Sequence, residues 1–292
     1  MRELQELLIP LLTQRSQSPL TTPTNEMSGR DKRVLILMYH EIYRPEERDR
    51  LKGLTNPGYN TKTDAFLRQM AYLYEKKIKT LTIDDFISQK SPPEKRAICL
   101  TFDDGWLGNY LYAYPILKKF GFMATFFIVT ELIGKPFYMG WEHLKEMLIN
   151  GMSIQSHTVT HRPLAITDDK EVIFELQKSK ETIEKNLGTK VNHLSLPHGL
   201  QNGRIWPFAK EIGYKTICTS KVGFQPWESN GPWLQRINIG DGISEKKFQL
   251  IVQGKNRAIW GMMIAKTLKN MLRQTIGHKG YRKLYRWVYD IR

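Results

Sequence analysis

Short apolar runs alternate with longer segments of helical periodicity between residues 33 and 220 of this 292-residue chain. The runs "RVLILMYH", "AICLTF" and "MATFFIV" are rich in β-branched and aromatic residues, which is typical of buried strands. Apolar residues at spacings of three and four predict helices at 63–78, 109–121 and 140–151. Strands that alternate with helices of this length predict parallel βαβ units.

The second half of this region continues the same pattern. Strands are predicted at "MSIQSH", "HLSLP" and "YKTICTS". A long amphipathic helix, capped by Thr167 and ended by Gly188, and a shorter helix at 203–213 lie between these strands. The pattern fits either a (β/α) barrel or a doubly wound parallel sheet, and both place functional residues at the carboxyl ends of the strands.

Four of the predicted strands end in polar residues. One polar ending would be unremarkable, but four at the same edge of a sheet predict a single functional site. These endings are His40, Asp103 with Asp104, His157, and the run Pro197, His198 and Gly199.

The polar endings contain a set of side chains suited to a metal ion. His157 and His161 are four residues apart in "SHTVTH", and two imidazoles with a carboxylate form a ligand set with open positions for water and substrate. If Asp104 binds the cation, the ion offsets the repulsion between adjacent carboxylates and leaves Asp103 ionised as a base. The alternatives are polar loop histidines and a turn cap before Gly105.

The motifs "LTFDDGW", "SHTVTH" and "LPHG", in this order, resemble those of the NodB-homology polysaccharide deacetylases, carbohydrate esterase family four. The resemblance covers about residues 34–225. It implies an α/β fold, a distorted (β/α) barrel, and a metal-dependent hydrolase that removes acyl groups from amino sugars. It also implies that Asp103 is the general base and that Asp104, His157 and His161 bind a divalent metal. Zn²⁺ is the favoured ion, with Co²⁺ or Ni²⁺ as alternatives.

The third motif departs from the family pattern, which is commonly Arg-x-Pro-Tyr-Gly. Ser195 stands at the arginine position and His198 at the aromatic position. The contact by which the arginine would orient the catalytic aspartate is therefore in doubt. We expect the backbone N–H of His198 to stabilise an oxyanion, and Pro197 and Gly199 to contact the substrate.

The general-acid histidine of the family is expected late in the sequence, but no histidine lies between Lys221 and Asn270. The run "LMYHEI" resembles the early strand of the biofilm poly-N-acetylglucosamine deacetylases, whose barrel is circularly permuted. This resemblance predicts that His40 protonates the leaving amine; the alternative is a core histidine at a strand end. Trp227 and Trp233 are predicted to line the acceptor cleft, with core packing as the alternative.

The net charge of +15 is concentrated near the carboxyl terminus, where twelve Lys or Arg and one acid lie between Lys246 and Arg292. We expect a flexible lead-in at 1–31, which is rich in Ser, Thr, Gln and Pro, a catalytic barrel at 32–243, and a basic amphipathic helical tail at 244–292. The tail predicts peripheral contact with an anionic membrane; the alternative is packing on the barrel. No recognition motif supports nucleic acid binding.

No signal peptide or membrane span is evident, so the sequence predicts a cytoplasmic location, at or near the inner face of the membrane. The two cysteines, Cys99 and Cys218, lie in apolar runs and are predicted to be buried free thiols. The predicted substrate is an amino-sugar glycan or a lipid-linked sugar. The alternatives are a non-catalytic glycan- or membrane-binding module on the same barrel, and a metal-dependent glycosyltransferase, which would leave His157 and His161 unexplained.

Overall fold

The computed structural model describes residues 33–89, 96–227, 231–264 and 267. The predicted lead-in and most of the predicted basic tail lie outside these residues. Among the helices of the described residues, none has both the length and the apolar composition needed to span a bilayer.

A sheet of mainly parallel strands forms the centre of the molecule, in the order β10-β1-β5-β6-β7-β8-β9-β11, with β4 beside β5 and β12 beside β1. The small strands β2 and β3 pair with each other. In chain order the strands are β1 (Arg33–Tyr39), β2 (Ile42–Tyr43), β3 (Thr61–Lys62), β4 (Lys79–Leu81), β5 (Ala97–Phe102), β6 (Thr125–Ile128), β7 (Ser153–Ser156), β8 (His193–Ser195), β9 (Thr216–Cys218), β10 (Gln225–Pro226), β11 (Trp233–Leu234) and β12 (Ile237–Asn238).

One short segment closes this sheet into a nearly complete barrel. Strand β11 pairs with β9, and strand β12, three residues further along the chain, pairs with β1. The residues between 233 and 238, which we call the closing segment, therefore join the last strand of the sheet to the first. Both pairings are parallel, as the βαβ pattern predicts, and the barrel is confirmed in preference to a doubly wound sheet.

The helices lie close to their predicted positions and pack around the sheet. They are α1 (Thr63–Glu75), α2 (Ile83–Ser88), α3 (Tyr114–Phe120), α4 (Trp141–Ile149), α5 (Asp169–Leu187), α6 (Ile205–Ile212) and α7 (Glu245–Val252). The predicted end of α5 at Gly188 is confirmed, but the N-cap is Asp168, not Thr167, because the Asp168 side chain accepts the Glu171 N–H. The predicted helix at 109–121 is divided into a π-helical turn, Asn109–Ala113, and α3.

Alternate residues along each strand face the interior of the barrel, where they form layers. At the amino ends of the strands, the Asp84 carboxylate accepts hydrogen bonds from four side chains, which are those of Ser153, Gln155, Asn192 and His193. We call this network the floor. Above it lies an apolar layer that includes Ile36, Cys99, Phe127, Cys218 and Leu234. Both cysteines are free and buried, as predicted.

The first helix of the predicted tail is part of the compact body. In α7, the side chains of Phe248, Ile251 and Val252 are buried, and the Phe248 ring meets that of Tyr72 on α1 with 6.3 Å between centroids. A further helical stretch, residues 256–264, begins beside the start of β1, where Arg33 Nη1 donates to Asn256 Oδ1 at 3.3 Å. The extent of the tail beyond residue 267 stays a prediction.

Candidate active site

The polar strand ends predicted from sequence meet at one mouth of the barrel. Asp104 Oδ1 lies 3.3 Å from His157 Nε2 and 3.3 Å from His161 Nε2. Among the described residues, these three side chains are the one group of three or more that could share a metal ion, with their ligand atoms all within 4.8 Å of one another.

Asp104 adopts a left-handed backbone conformation, with φ 74°, directly after β5. Gly105 follows with φ 86°, so the strand breaks at these two residues and the side chains of Asp103 and Asp104 can face the same space. The indole Nε1–H of Trp106 donates to Asp104 Oδ2 at 3.0 Å. The Trp106 ring in turn stacks on Tyr138 at 4.5 Å. This contact engages one carboxylate oxygen and directs the other, Oδ1, towards the histidines.

Both histidines present Nε2 to Asp104. His157 Nδ1 lies 2.8 Å from the carbonyl oxygen of Ser195. Because a carbonyl can only accept, Nδ1 carries the proton and the Nε2 lone pair is available to a metal. Burial lowers the pKa of His161 to about 3, so this imidazole is neutral near pH 7, as a metal ligand must be.

The side chain of Asp103 is buried and held by an arginine that the motif comparison did not include. Arg236, in the closing segment, donates through Nη1 to Asp103 Oδ1 and through Nη2 to Asp103 Oδ2, each at 2.8 Å. The Ser195 hydroxyl donates to Asp103 Oδ2 at 3.0 Å. The arginine missing from position 195 is thus replaced by Arg236, and Ser195 assists it.

Charges at the site keep both aspartates ionised. Burial raises the pKa of Asp103, but the Arg236 guanidinium, which is the largest opposing charge, outweighs burial, and the pKa lies below its ordinary value. For Asp104 burial also raises the pKa, and the contacts with His157 and His161 bring it well below the usual range. Two adjacent carboxylates therefore stay charged because each has its own cationic or hydrogen-bonding partners.

The environment of Asp104 indicates that the triad is suited to a divalent cation. Its Oδ1 atom is buried and accepts no hydrogen bond among the described residues, which is costly for a carboxylate oxygen unless a cation lies there. Two ligand atoms bound at about 2.0–2.1 Å to a tetrahedral zinc ion are about 3.3 Å apart. The two Asp104–histidine distances match this separation. The sequence prediction of a metal-binding triad and the geometry therefore agree.

His40 follows β1 at the same mouth of the barrel. Its ring lies 4.5 Å from the ring of Tyr59. Burial lowers the pKa of His40, while the carboxylates of Asp104 and Asp103 act in the opposite direction, so the imidazole lies within their electrostatic range. The structure thus brings His40 together with the predicted metal and base residues.

His198 also lies beside the triad, with its ring 4.8 Å from that of His161. Its φ is 57°, and Gly199 follows with φ 61°. A Cβ at Gly199 would lie 2.0 Å from the Ser220 hydroxyl, so only glycine fits there. Asp104, Thr158, His161 and His198 are four of the six non-glycine residues with positive φ in the described chain. Such strained conformations cluster at functional sites, and this cluster supports the assignment of the site.

The prediction for the two tryptophans is corrected by the structure. Trp227 is 8% exposed and packs in the apolar core, 5.1 Å from the Phe86 ring, so it does not line the site. Trp233 is half-buried and alternates with Leu234 and Arg236, which face the barrel interior; its side chain therefore points the other way. The clusters of aromatic residues in the sequence could not reveal which face of the strand each ring occupies.

Arg236 and Trp106 are the contacts at the site that the sequence analysis missed. A weak signal for Arg236 was present in "LQRINI", where an arginine falls within a short run that contains Leu234, Ile237 and Ile239. A charge at such a position requires a buried partner. Trp106 carries no comparable signal, because an aromatic residue after a turn is usually only a packing residue.

A nearly closed parallel barrel with an Asp-His-His triad and an ionised aspartate at its carboxyl mouth defines a metal-dependent hydrolase. The family model described as polysaccharide deacetylase matches residues 90–217. The protein YxkH of Bacillus subtilis (strain 168) is 28% identical over 221 residues, which cover 75% of each chain. A Staphylococcus aureus (strain MRSA252) protein named poly-β-1,6-N-acetyl-D-glucosamine N-deacetylase is 26% identical, over 76% of this chain and 84% of its own.

Among solved structures, the Streptococcus pyogenes deacetylase PplD in complex with acetate has a TM-score of 0.67 and 29% identity, covering 76% of this chain and 97% of its own. IcaB from Ammonifex degensii has a TM-score of 0.61 and 18% identity, over 76% of this chain and 96% of its own, and shows the shared fold. The family model and these relatives confirm the resemblance to the NodB-homology polysaccharide deacetylases that the motifs predicted.

Proposed function

We propose that the protein hydrolyses the N-acetyl group of N-acetylglucosamine units in a polysaccharide, with Asp103 as its general base. The observation on which this rests is the ionised Asp103, held by Arg236 beside the triad of Asp104, His157 and His161. Two relatives support the substrate class: one is named for the deacetylation of poly-β-1,6-N-acetyl-D-glucosamine, and the other holds acetate, the acid that such a hydrolysis releases.

Asp104, His157 and His161 would bind the divalent cation, which is Zn²⁺ in this proposal, with Co²⁺ and Ni²⁺ as alternatives. When bound, the ion polarises the acetamide carbonyl and lowers the pKa of water. The chain itself orients two of the three ligands, through the Ser195 carbonyl on His157 and the Trp106 indole on Asp104.

Asp103 removes the proton from the attacking water. Its two oxygens already accept three hydrogen bonds, from Arg236 and the Ser195 hydroxyl, so the carboxylate cannot rotate. Oδ1 accepts one of these bonds and keeps a lone pair for the proton. The water oxygen then bonds to the carbonyl carbon, and the C–N bond breaks to give acetate and a free amine.

His40 and His198 complete the proposed machinery. His40 protonates the departing amine, since it lies at the same mouth and within electrostatic range of Asp103. The backbone N–H of His198 stabilises the oxyanion, and the rigid Pro197–Gly199 turn presents it to the substrate. In this proposal Pro197 and Gly199 shape the substrate contact.

The test is metal content together with acetate release, measured on the wild type and on His157→Ala. We expect about one metal ion per chain in the wild type, none in the variant, and acetate from β-1,6-linked N-acetylglucosamine oligomers in excess of that from β-1,4-linked oligomers. Metal binding without acetate from either oligomer would contradict the proposed substrate. A wild-type protein that binds no added Zn²⁺, Co²⁺ or Ni²⁺ would contradict the mechanism.

The helical stretch 256–264 supports the predicted contact with an anionic membrane. Trp260, Met263 and Ile264 lie at helical spacing on one face and are 65%, 42% and 57% exposed. Lys255 and Arg257 are exposed beside them. Exposed aromatic and aliphatic side chains flanked by basic residues suit the interface of a bilayer that contains anionic lipids.

This stretch begins at the floor end of the barrel, opposite the site. Arg33, the first residue of β1, contacts Asn256, and Arg96, which precedes β5, contacts the Val252 carbonyl. The length of β1, about 20 Å at 3.3 Å per residue, separates this surface from His40. A membrane-bound molecule would therefore direct its active site away from the bilayer, which favours a polymer over a lipid-linked sugar as the substrate.

Sedimentation with vesicles tests this contact. One set contains phosphatidylcholine alone, and the other also contains about 30% phosphatidylglycerol, which gives the membrane a strong negative surface charge. We expect binding only to the anionic vesicles, and weaker binding by Trp260→Ser. Equal binding to both kinds of vesicle, or none to either, would contradict the proposed contact.

A further inference from the structure

The two histidines of the triad stand at either end of a single tight loop, Thr158, Val159 and Thr160. Thr158 and His161 both have positive φ, 70° and 61°, which is unfavourable for residues with a Cβ. A loop in this conformation relaxes unless its surroundings determine it. The relative position of the two Nε2 atoms therefore depends on whatever holds the loop.

A buried carboxylate on helix α5 contacts this loop from one side. Glu175 is 0% exposed. Its Oε2 accepts the backbone N–H of Val159 at 2.7 Å and that of Thr160 at 2.9 Å. Its Oε1 is hydrogen-bonded to the Thr160 hydroxyl. One side chain thus satisfies three donors of the loop.

The other side of the loop is held by the backbone after β6. Thr130 N–H donates to the Thr158 carbonyl at 3.1 Å, and Glu131 N–H donates to the Val159 carbonyl at 3.0 Å. Within the loop, the Thr158 hydroxyl accepts the His161 N–H at 3.2 Å. The backbone contacts are independent of side-chain identity, whereas Glu175 holds the loop through three hydrogen bonds that a substitution can remove.

We propose that Glu175 is a positioning residue for the metal centre: through Val159 and Thr160 it fixes the distance between His157 and His161, and so sets the affinity of the triad for a divalent cation. This inference rests on the metal site of the proposed function, but it concerns a residue that touches neither the ion nor the substrate. Loss of a contact that orients metal ligands commonly weakens binding by about 10–100-fold.

The experiment measures Co²⁺ binding directly, because Co²⁺ reports its coordination through visible absorption. Purified wild type, Glu175→Gln and Thr160→Val are titrated with Co²⁺, and Zn²⁺ affinity is measured by displacement. The matched control is Glu181→Gln, the same substitution on an exposed position of α5. We expect Glu175→Gln to raise the Co²⁺ Kd by about 10-fold or more and to change the absorption spectrum. Thr160→Val should show a smaller change in the same direction, and Glu181→Gln should match the wild type.

Thermal unfolding of the metal-free proteins separates positioning from a general loss of stability. If Glu175→Gln lowers the Tm but binds Co²⁺ with the wild-type Kd and spectrum, Glu175 supports the fold alone and the inference is overturned while the proposed function stands. If the wild type itself binds no Co²⁺, both fail. Should Glu175→Gln not fold, Thr160→Val decides the question, and a wild-type Kd and spectrum in that variant would likewise overturn the inference.

Discussion

Arg236 and Asp103 form a buried ion pair of two parallel hydrogen bonds, each 2.8 Å long, across the point where the barrel closes. Arg236 comes from the closing segment and Asp103 follows β5, so the pair joins residues that are far apart in sequence. Both side chains are almost fully buried, at 1% and 2% exposure. The pair orients the carboxylate and keeps it charged in a place where water cannot do so.

Removal of the arginine should affect both stability and turnover. Arg236→Met leaves the Asp103 carboxylate buried without its cation, and we expect a loss of about 3–5 kcal/mol in the free energy of unfolding. The double variant Asp103→Asn with Arg236→Met leaves no unpaired charge and should recover part of that loss. Urea unfolding of the wild type, both single variants and the double variant measures the coupling. Purely additive losses would contradict the buried pair.

Asp103→Asn should bind metal and lack turnover. The amide keeps the shape of the side chain but cannot accept the proton from water, so we expect kcat to fall by about 10²–10⁴-fold. Metal content should remain at the wild-type level, whereas Asp104→Asn should lose metal because it removes a ligand. Acetate release and metal analysis on the same preparations distinguish the two aspartates. A variant that kept its turnover would exclude Asp103 as the base.

The indole of Trp106 should contribute to metal affinity through its single hydrogen bond. Trp106→Phe retains a ring to stack on Tyr138 but removes the Nε1–H that engages Asp104 Oδ2. We expect the Zn²⁺ Kd to rise by about 10-fold, measured by competition with a chelator, with little change in Tm. An unchanged Kd would show that the stacking alone positions Asp104.

The floor network should stabilise the barrel without affecting chemistry. Partial burial raises the pKa of Asp84, but the bonds from His193, Asn192 and Ser153 outweigh it and hold the pKa at about 2. Because this pKa is lower in the folded than in the unfolded chain, the stabilisation is present above about pH 4 and is lost as the pH falls towards 2.

Asp84→Asn should therefore be less stable than the wild type at pH 6, by about 1 kcal/mol once solvent screening of this part-exposed group is allowed for. The difference should shrink as the pH approaches 2. Urea unfolding at pH 6 and at pH 2.5 measures it, and kcat of the folded variant at pH 7 is the control. A difference that stays constant with pH, or a lower kcat, would contradict a purely structural role.

The positions of the main strands and the metal triad could be predicted because local patterns determine them. The run "AICLTF" is strand β5, residue for residue, and the strands with polar ends converge because parallel strands share one carboxyl edge. The histidines of "SHTVTH" and the carboxylates of "LTFDDGW" together, with the family resemblance, predicted the triad that the structure brings together.

Contacts between distant segments could not be predicted in the same way. The partner of Asp103 depends on how β11 and β12 pair, and these are strands of two residues each, too short to give a periodic signal. Trp227 was wrongly predicted to line the acceptor cleft for the same reason. An aromatic residue suits both a sugar-binding cleft and a core, and only the packing of Trp227 against Phe86 decides between them.

The closing segment has a consequence for how the molecule becomes active. Leu37 of β1 pairs with Ile237 of β12, so the wall of the barrel is completed only when the beginning and the end of the domain meet. Arg236 arrives with that same stretch of chain. A partly assembled molecule, with every ligand histidine already in place, would still have a base without its counter-ion. Under the proposed function, hydrolytic competence would therefore require that the two ends of the domain have met and the barrel has closed.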